Sequence, residues 1–267
     1  MRCIDTHCHI QFSPYDEDRT AVIDECLSND VGLMVVGCDA ASSRAACVLA
    51  DQYPTQSLWA AVGHHPTDNP EDFDEYFFRT LAVSTHKVRA IGETGLDYFH
   101  LDVKKDVDEQ VRRQKEVFLA QCDIAHDLAL PLIIHCREAH DDMIGILENR
   151  FGSFADNPST REHGVIHCFT GTVREAQSYL DLGFMISLTG VITFTHDYDE
   201  VIRTVPLEKM MIETDAPFLS PVPHRGKRNH PRYVEYIAKK IAEVRGVTTE
   251  EVLERTTRNA VQLFGLE

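Results

Sequence analysis

"PLIIHCREAHDDMIGILENR", residues 131–150, contains the repeating unit from which the fold is read. An apolar run over 131–136 carries His135 near its end, and a helical pattern over 138–150 follows. A short apolar run reads as a buried strand, and parallel strands need a crossover helix between them. The same pairing recurs along the chain. Further strand candidates are 2–7, 33–37, 58–63, 88–93, 164–169, 184–188 and 209–214. Helix candidates include 19–29, 42–52, 108–128, 173–182 and 197–204. In the third of these, Val111, Phe118, Cys122 and Ala125 share one stripe at helical spacing. The segment from His230 onward reads as two or three helices. Gly246 ends one, and Thr248 with Glu251 forms a capping box for the next. Eight strands alternating with helices predict a parallel sheet. A length of 267 residues suits a closed (β/α)₈ TIM barrel, with an open doubly wound sheet as the alternative. No linker, repeat or shift in composition divides the chain, so 1–267 is expected to be a single domain, with 152–160 as an exposed loop.

Composition narrows the function. Apolar residues make up 43%, enough for a globular core. No apolar run is long enough to span a membrane, and the N-terminus lacks a secretory pattern. The eight cysteines include no C-x-x-C pair, so free thiols in a reducing, cytoplasmic setting are expected. A monomer is expected. The net charge of −17 argues against broad binding to duplex nucleic acid, which depends on Lys and Arg neutralising phosphates. It leaves room for a phosphate held locally by metal ions and a few arginines.

The ionisable residues gather where the strands finish. In "CIDTHCHI", residues 3–10, His7 and His9 lie two apart beside Asp5, so strand alternation points both imidazoles the same way. Glu93 ends the fourth strand, His135 the fifth and His167 the sixth, and Asp215 follows the eighth. In a barrel these ends form one face, where active sites lie. Four imidazoles and two carboxylates suit divalent ions such as Zn²⁺ or Mn²⁺, with Mg²⁺ at carboxylate-rich positions. Six donors exceed the needs of one tetrahedral ion; two ions sharing a carboxylate would use them all. One or two divalent metal ions per chain are therefore expected.

Other residues receive weaker readings. Of His64 and His65, His65 is favoured as a substrate-facing group and His64 as a loop residue. His86, His100, His126, His140, His163 and His196 read as surface or loop residues, while His224 and His230 lie where they can edge the pocket. Cys8, Cys136 and Cys168 each follow a candidate ligand, so alternation turns them to the helix layer as packing residues. Arg137, two residues after His135, is aimed near the pocket, where a guanidinium can grip phosphate bidentately. The loop "HRGKRNHP", 224–231, adds Arg225, Lys227 and Arg228 as a phosphate-facing rim.

The motifs "DTHCH", "AIGETGLDYF", "PLIIHCREAHDD", "HCFTG", "GVITF", "ETDAPFLSPVPHRGKRN" and "TTRNAVQLFG" resemble, in order and spacing, those of the TatD family of metal-dependent deoxyribonucleases within the amidohydrolase superfamily. The resemblance runs from Asp5 to about Gly265. It implies a (β/α)₈ barrel and a one- or two-metal centre with His7, His9, Glu93, His135, His167 and Asp215 as ligands. It further implies Glu93 as the bridge and DNA as the substrate, often degraded 3′→5′. In the expected mechanism a metal-activated water attacks phosphorus and Asp215 is the general base. The metals and Arg137 would stabilise transition-state charge, and His65 would orient the phosphate. The rival reading is a hydrolase of carbonyl substrates on the same scaffold: a lactonase, a cyclic amidase or an aminoacyl-tRNA deacylase. A non-catalytic metal-stabilised protein is disfavoured, because structural zinc sites are typically closed and cysteine-rich.

Overall fold

The computed structural model describes residues 1–53, 57–152 and 162–266. Eight parallel strands follow one another in chain order: β1 (Cys3–Cys8), β2 (Val31–Val36), β3 (Leu58–Val62), β4 (Val88–Asp97), β5 (Leu132–Arg137), β6 (Gly164–Ile166), β7 (Phe184–Leu188) and β8 (Met210–Ile212). The ends of this sheet meet. Asp215 N–H donates to His7 O at 2.9 Å, and His9 N–H donates to Ala216 O at 2.7 Å. The fold is therefore the expected (β/α)₈ TIM barrel, and the open-sheet alternative falls. The helices are α1 (Arg19–Ser28), α2 (Ala40–Gln52), α3 (Glu75–Ala82), α4 (Val107–Leu128), α5 (His140–Phe151), α6 (Val173–Asp181), α7 (Asp199–Thr204), α8 (Val234–Arg245) and α9 (Thr249–Phe264). Of the loop expected at 152–160, residues 153–160 lie outside the described residues. Among the described residues, no helix is long and apolar enough to cross a membrane.

Local chemistry explains the element ends. Helix α3 is an addition to the elements expected from sequence; Asp74 caps it by accepting from Phe77 N–H at 3.1 Å. Gly246 ends α8 in the left-handed region at φ 69°, where glycine carries no Cβ penalty. Thr248 accepts from Glu251 N–H at 3.1 Å and starts α9.

Two apolar layers hold the barrel. The outer one lies between strands and helices. The inner one takes Ile4, Met34, Trp59, Ala90, Ile133, Val165, Met185 and Met211, at least one residue from every strand. Ala260, Leu263 and Phe264 of α9 pack into it. Asn259 secures that helix by donating to Leu207 O at 2.8 Å and Met210 O at 2.7 Å, where β8 begins. Asn259→Ala removes both bonds from a buried place and should cost about 1–3 kcal/mol, read as a lower urea midpoint. An unchanged midpoint would show that α9 is held by its apolar face alone.

The inner layer sets what the mouth contains. Counting by twos from these residues reaches Cys38 along β2, His65 along β3, His135 along β5, His167 along β6 and Asp215 along β8. β1 and β4 break the count. From Ile4 the next inward residue would be Thr6, and from Ala90 it would be Gly92. Register shifts between Asp5 and Cys8, and between Ile91 and Thr94, reverse the alternation and bring His7 and Glu93 inward. An irregular pairing that re-aims a side chain is a recurrent device beside active sites. Glu93 is also not at a strand end as expected, because β4 continues to Asp97. Just beyond it, Gly95 has φ 146°, and a Cβ there would meet His135 O at 1.9 Å, so β4 and β5 can approach only at a glycine.

Candidate metal centre

Glu93 lies at the middle of the cluster and divides it. Its Oε1 is 3.0 Å from His135 Nδ1, 3.0 Å from His167 Nε2 and 3.2 Å from His65 Nε2. Its Oε2 is 3.3 Å from His7 Nε2 and 3.7 Å from His9 Nε2. Asp215 Oδ1 stands 3.3 Å from His9 Nε2 and 3.8 Å from His7 Nε2. The fold thus brings together all six expected residues, with His65 as a seventh.

A layer behind them fixes which nitrogens face inward. His9 Nδ1 lies 2.8 Å from Val36 O, and a carbonyl only accepts, so Nδ1 carries a proton and Nε2 is the nitrogen turned to the cluster. His167 Nδ1 is 2.9 Å from Glu213 Oε1, which also accepts from Cys168 N–H at 2.6 Å. His135 Nε2 is 3.0 Å from Asp97 Oδ2, which His100 Nδ1 also approaches at 2.8 Å. Carboxylate and carbonyl partners of this kind orient metal-ligating histidines. Asp97 and Glu213 were not anticipated. Glu213 had a signal, standing two residues before Asp215 on the same face. Asp97 had none short of the true end of β4. Asp5 acts as a stitch: it accepts from Thr214 N–H at 2.8 Å, from the Thr214 hydroxyl and from His7 N–H at 3.3 Å, tying β1 to the chain before Asp215.

The electrostatics call for positive charge. Burial pushes the Glu93 carboxyl up, but the surrounding His65, His167 and His7 outweigh it and hold it well below the ordinary range. Burial opposes charge on His167, yet Glu213 and Glu93 hold its pKa well above the usual value. His7 moves the other way, lowered first by burial and then by His167. His7 and His9 Nε2 are only 3.1 Å apart, and His7 Nδ1 is buried with no hydrogen-bond partner. Imidazole nitrogens and carboxylate oxygens crowded against one another fit a divalent metal site, since a cation satisfies them together. Residue groups capable of holding an ion include His7–Glu93–His167, His7–His9–Asp215 and His65–Glu93–His135.

Other expectations fare unevenly. Arg137 is exposed with its guanidinium 3.8 Å over Phe99, and Arg225 lies 3.7 Å over Phe194 while donating to Ser220 O at 3.0 Å. Arg228 is not a rim group: its guanidinium forks onto Asp18 at 2.8 and 2.6 Å and donates to Pro14 O. His224 and His230 do not edge the centre. His224 stacks on Tyr233 at 3.8 Å, and both line a separate cleft with Glu25 and Tyr236. His64 is in the loop after β3 as expected, but buried against Phe73 and Phe78. His140 and His163 are partly buried against Tyr179 and Phe151. Cys8 and Cys136 pack in the outer layer as expected. Cys168 does not: beyond the end of β6 its φ of 45° breaks the alternation, and its sulfur sits 3.5 Å from Thr189 Oγ1.

Residues 4–265 match the family described as TatD related DNase. The chain belongs to this family. A Bacillus subtilis relative, the uncharacterized metal-dependent hydrolase YabD, is 38% identical over 97% of this chain and 98% of its own. The 3'-5' ssDNA/RNA exonuclease TatD of a Rahnella strain is 33% identical, covering 95% of both chains. The crystal structure of the TatD homologue YjjV from Escherichia coli superposes with a TM-score of 0.86 at 30% identity, covering 100% of this chain and 99% of that one. As a TatD-family protein with this donor cluster, the chain is a metal-dependent hydrolase.

Proposed function

We propose that this hydrolase cleaves phosphodiesters of DNA, removing nucleotides from a 3′ end. The observation that carries the reading is Glu93, with one carboxylate oxygen toward each of two donor groups. Such a pair suits two ions flanking an in-line displacement at phosphorus. When bound, divalent ions supply Lewis acidity and make a water nucleophilic near neutral pH. His7, His9 and Asp215 would hold one ion, His135 and His167 the other, with Glu93 available to both. Asp215, kept ionised by its imidazole neighbours against the effect of burial, takes the proton of the attacking water. His65, 3.2 Å from Glu93 and anchored through Nδ1 on Thr67 Oγ1 at 2.7 Å, orients the phosphate.

Aromatic groups around the mouth support the substrate class. Phe12 stacks on His9 with centroids 4.7 Å apart, and Phe218 meets the same ring edge-on at 6.2 Å. Arg137 over Phe99 and Arg225 over Phe194 add guanidiniums placed above rings. Bases stack on such faces, and arginines take the phosphates between them. The relative named as an exonuclease points the same way.

The test uses metal-stripped protein on end-labelled single-stranded and duplex DNA, with Mg²⁺, Mn²⁺ and Zn²⁺ restored separately. The expected result is metal-dependent release of mononucleotides from the 3′ end. A lactone and a charged tRNA serve as controls. Hydrolysis confined to those carbonyl substrates would replace the nuclease assignment with the rival one.

A further inference from the structure

One donor at the centre stands apart from the strand-end histidines and carboxylates. Cys38 lies two residues beyond Val36, whose side chain belongs to the inner layer, so its sulfur turns into the mouth. Cys38 Sγ is 3.6 Å from Glu93 Oε2 and 3.7 Å from His9 Nδ1, the ring nitrogen that also faces Val36 O. His9, Cys38 and Glu93 form a group able to hold one ion, and no other cysteine belongs to such a group among the described residues. The Cys38 thiol donates to that carboxylate oxygen, and the two atoms stay within reach of one ion. His9 is itself buried, and its Nε2 lies 3.7 Å from the same Glu93 oxygen.

The backbone holds this sulfur in place. Cys38 N–H donates to Ser42 Oγ at 2.9 Å, and Cys38 O accepts from His65 N–H at 2.6 Å. Ser42 is fixed in turn by the Asp39 cap that starts α2. The residue therefore sits at a rigid corner between the ion-binding group and the start of α2.

We propose that Cys38 is a thiolate ligand to the ion held by His9 and Glu93, biasing the centre toward a thiophilic divalent ion such as Zn²⁺ over Mg²⁺ or Mn²⁺. The proposal rests on the metal-centre reading above. Sulfur is a soft donor, which Mg²⁺ does not prefer. On binding, the S–H bond breaks, the proton passes to solvent and a sulfur–metal bond forms, with no change of oxidation state.

The test titrates Co²⁺ into the metal-stripped full chain and follows absorption. The unaltered protein should develop visible d–d bands together with a sulfur-to-cobalt charge-transfer band in the near ultraviolet. Cys38→Ser should keep the visible bands and lose the charge-transfer band. Cys168→Ser, beside His167, should keep both. Zn²⁺ affinity of Cys38→Ser should fall by about tenfold or more while Mn²⁺ affinity holds. A charge-transfer band that survives Cys38→Ser, or is missing from unaltered protein showing the visible bands, overturns the ligand assignment and leaves the centre standing. Failure of the unaltered protein to take up cobalt overturns both. A second measurement needs no substitution: Zn²⁺ but not Mg²⁺ should slow iodoacetamide labelling of Cys38, located by peptide mass. Equal labelling in both also overturns the proposal.

Discussion

Asp215→Asn should lower kcat on DNA by about 10²–10⁴-fold, the usual contribution of a positioned general base, while leaving the fold and the metal content in place. The substitution is chosen for its backbone as much as for its charge. Asp215 has φ 56°, a left-handed conformation that Asn tolerates as well as Asp does. Its N–H donates to His7 O at 2.9 Å and its carbonyl accepts from Phe218 N–H at 2.8 Å, and both bonds survive the change. The amide keeps one oxygen for an ion but cannot accept a proton at neutral pH. Circular dichroism and metal analysis should match the unaltered protein, so the loss appears in kcat. Turnover within about threefold of the original would remove Asp215 from the role of base, since the general-base contribution is far larger.

Glu93→Gln should have the second large effect, with a different signature. The side chain keeps its shape but loses the charge shared between two donor groups. Glu93 Oε1 faces His135, His167 and His65, and Oε2 faces His7 and His9. An amide nitrogen on one side is a donor and cannot ligate. The variant should retain at most one ion, bind it about 10–100-fold more weakly, and lose hydrolysis with it. A ligand that binds only the folded state raises the melting temperature. Mn²⁺ should therefore raise the Tm of the unaltered protein clearly and that of Glu93→Gln little. Equilibrium dialysis showing two ions held at unchanged affinity would defeat the shared-carboxylate description. The two variants separate the roles: one keeps the metals and loses the proton acceptor, the other loses the metals.

Most of the barrel was legible because its signals are local. An apolar run followed by an amphipathic stretch specifies a strand and its crossover helix. Repeated eight times, the pattern admits few topologies. The histidines at 7, 9, 135 and 167 and the carboxylate at 215 were found for the same reason, since each stands at or just past the end of such a run. Helix α3 was missed because its eight residues offer little more than two turns of pattern. Arg228 and His224 were misjudged because their partners, Asp18 and Tyr233, come from other segments of the chain. Nothing in "HRGKRNHP" reports those contacts.

The sequence alone therefore determined the architecture and the chemical character of the mouth, because strand period and residue type are properties of short stretches. Tertiary structure decided how the donors meet. The register shifts in β1 and β4 turn His7 and Glu93 inward against the alternation of their own strands, and such shifts arise only when a strand is paired with its neighbours. Pairing also carried β4 on to Asp97, placed Glu213 behind His167 and set Cys38 beside Glu93. Contacts across tens of residues of sequence are set by closure of the barrel, not by any one stretch of chain.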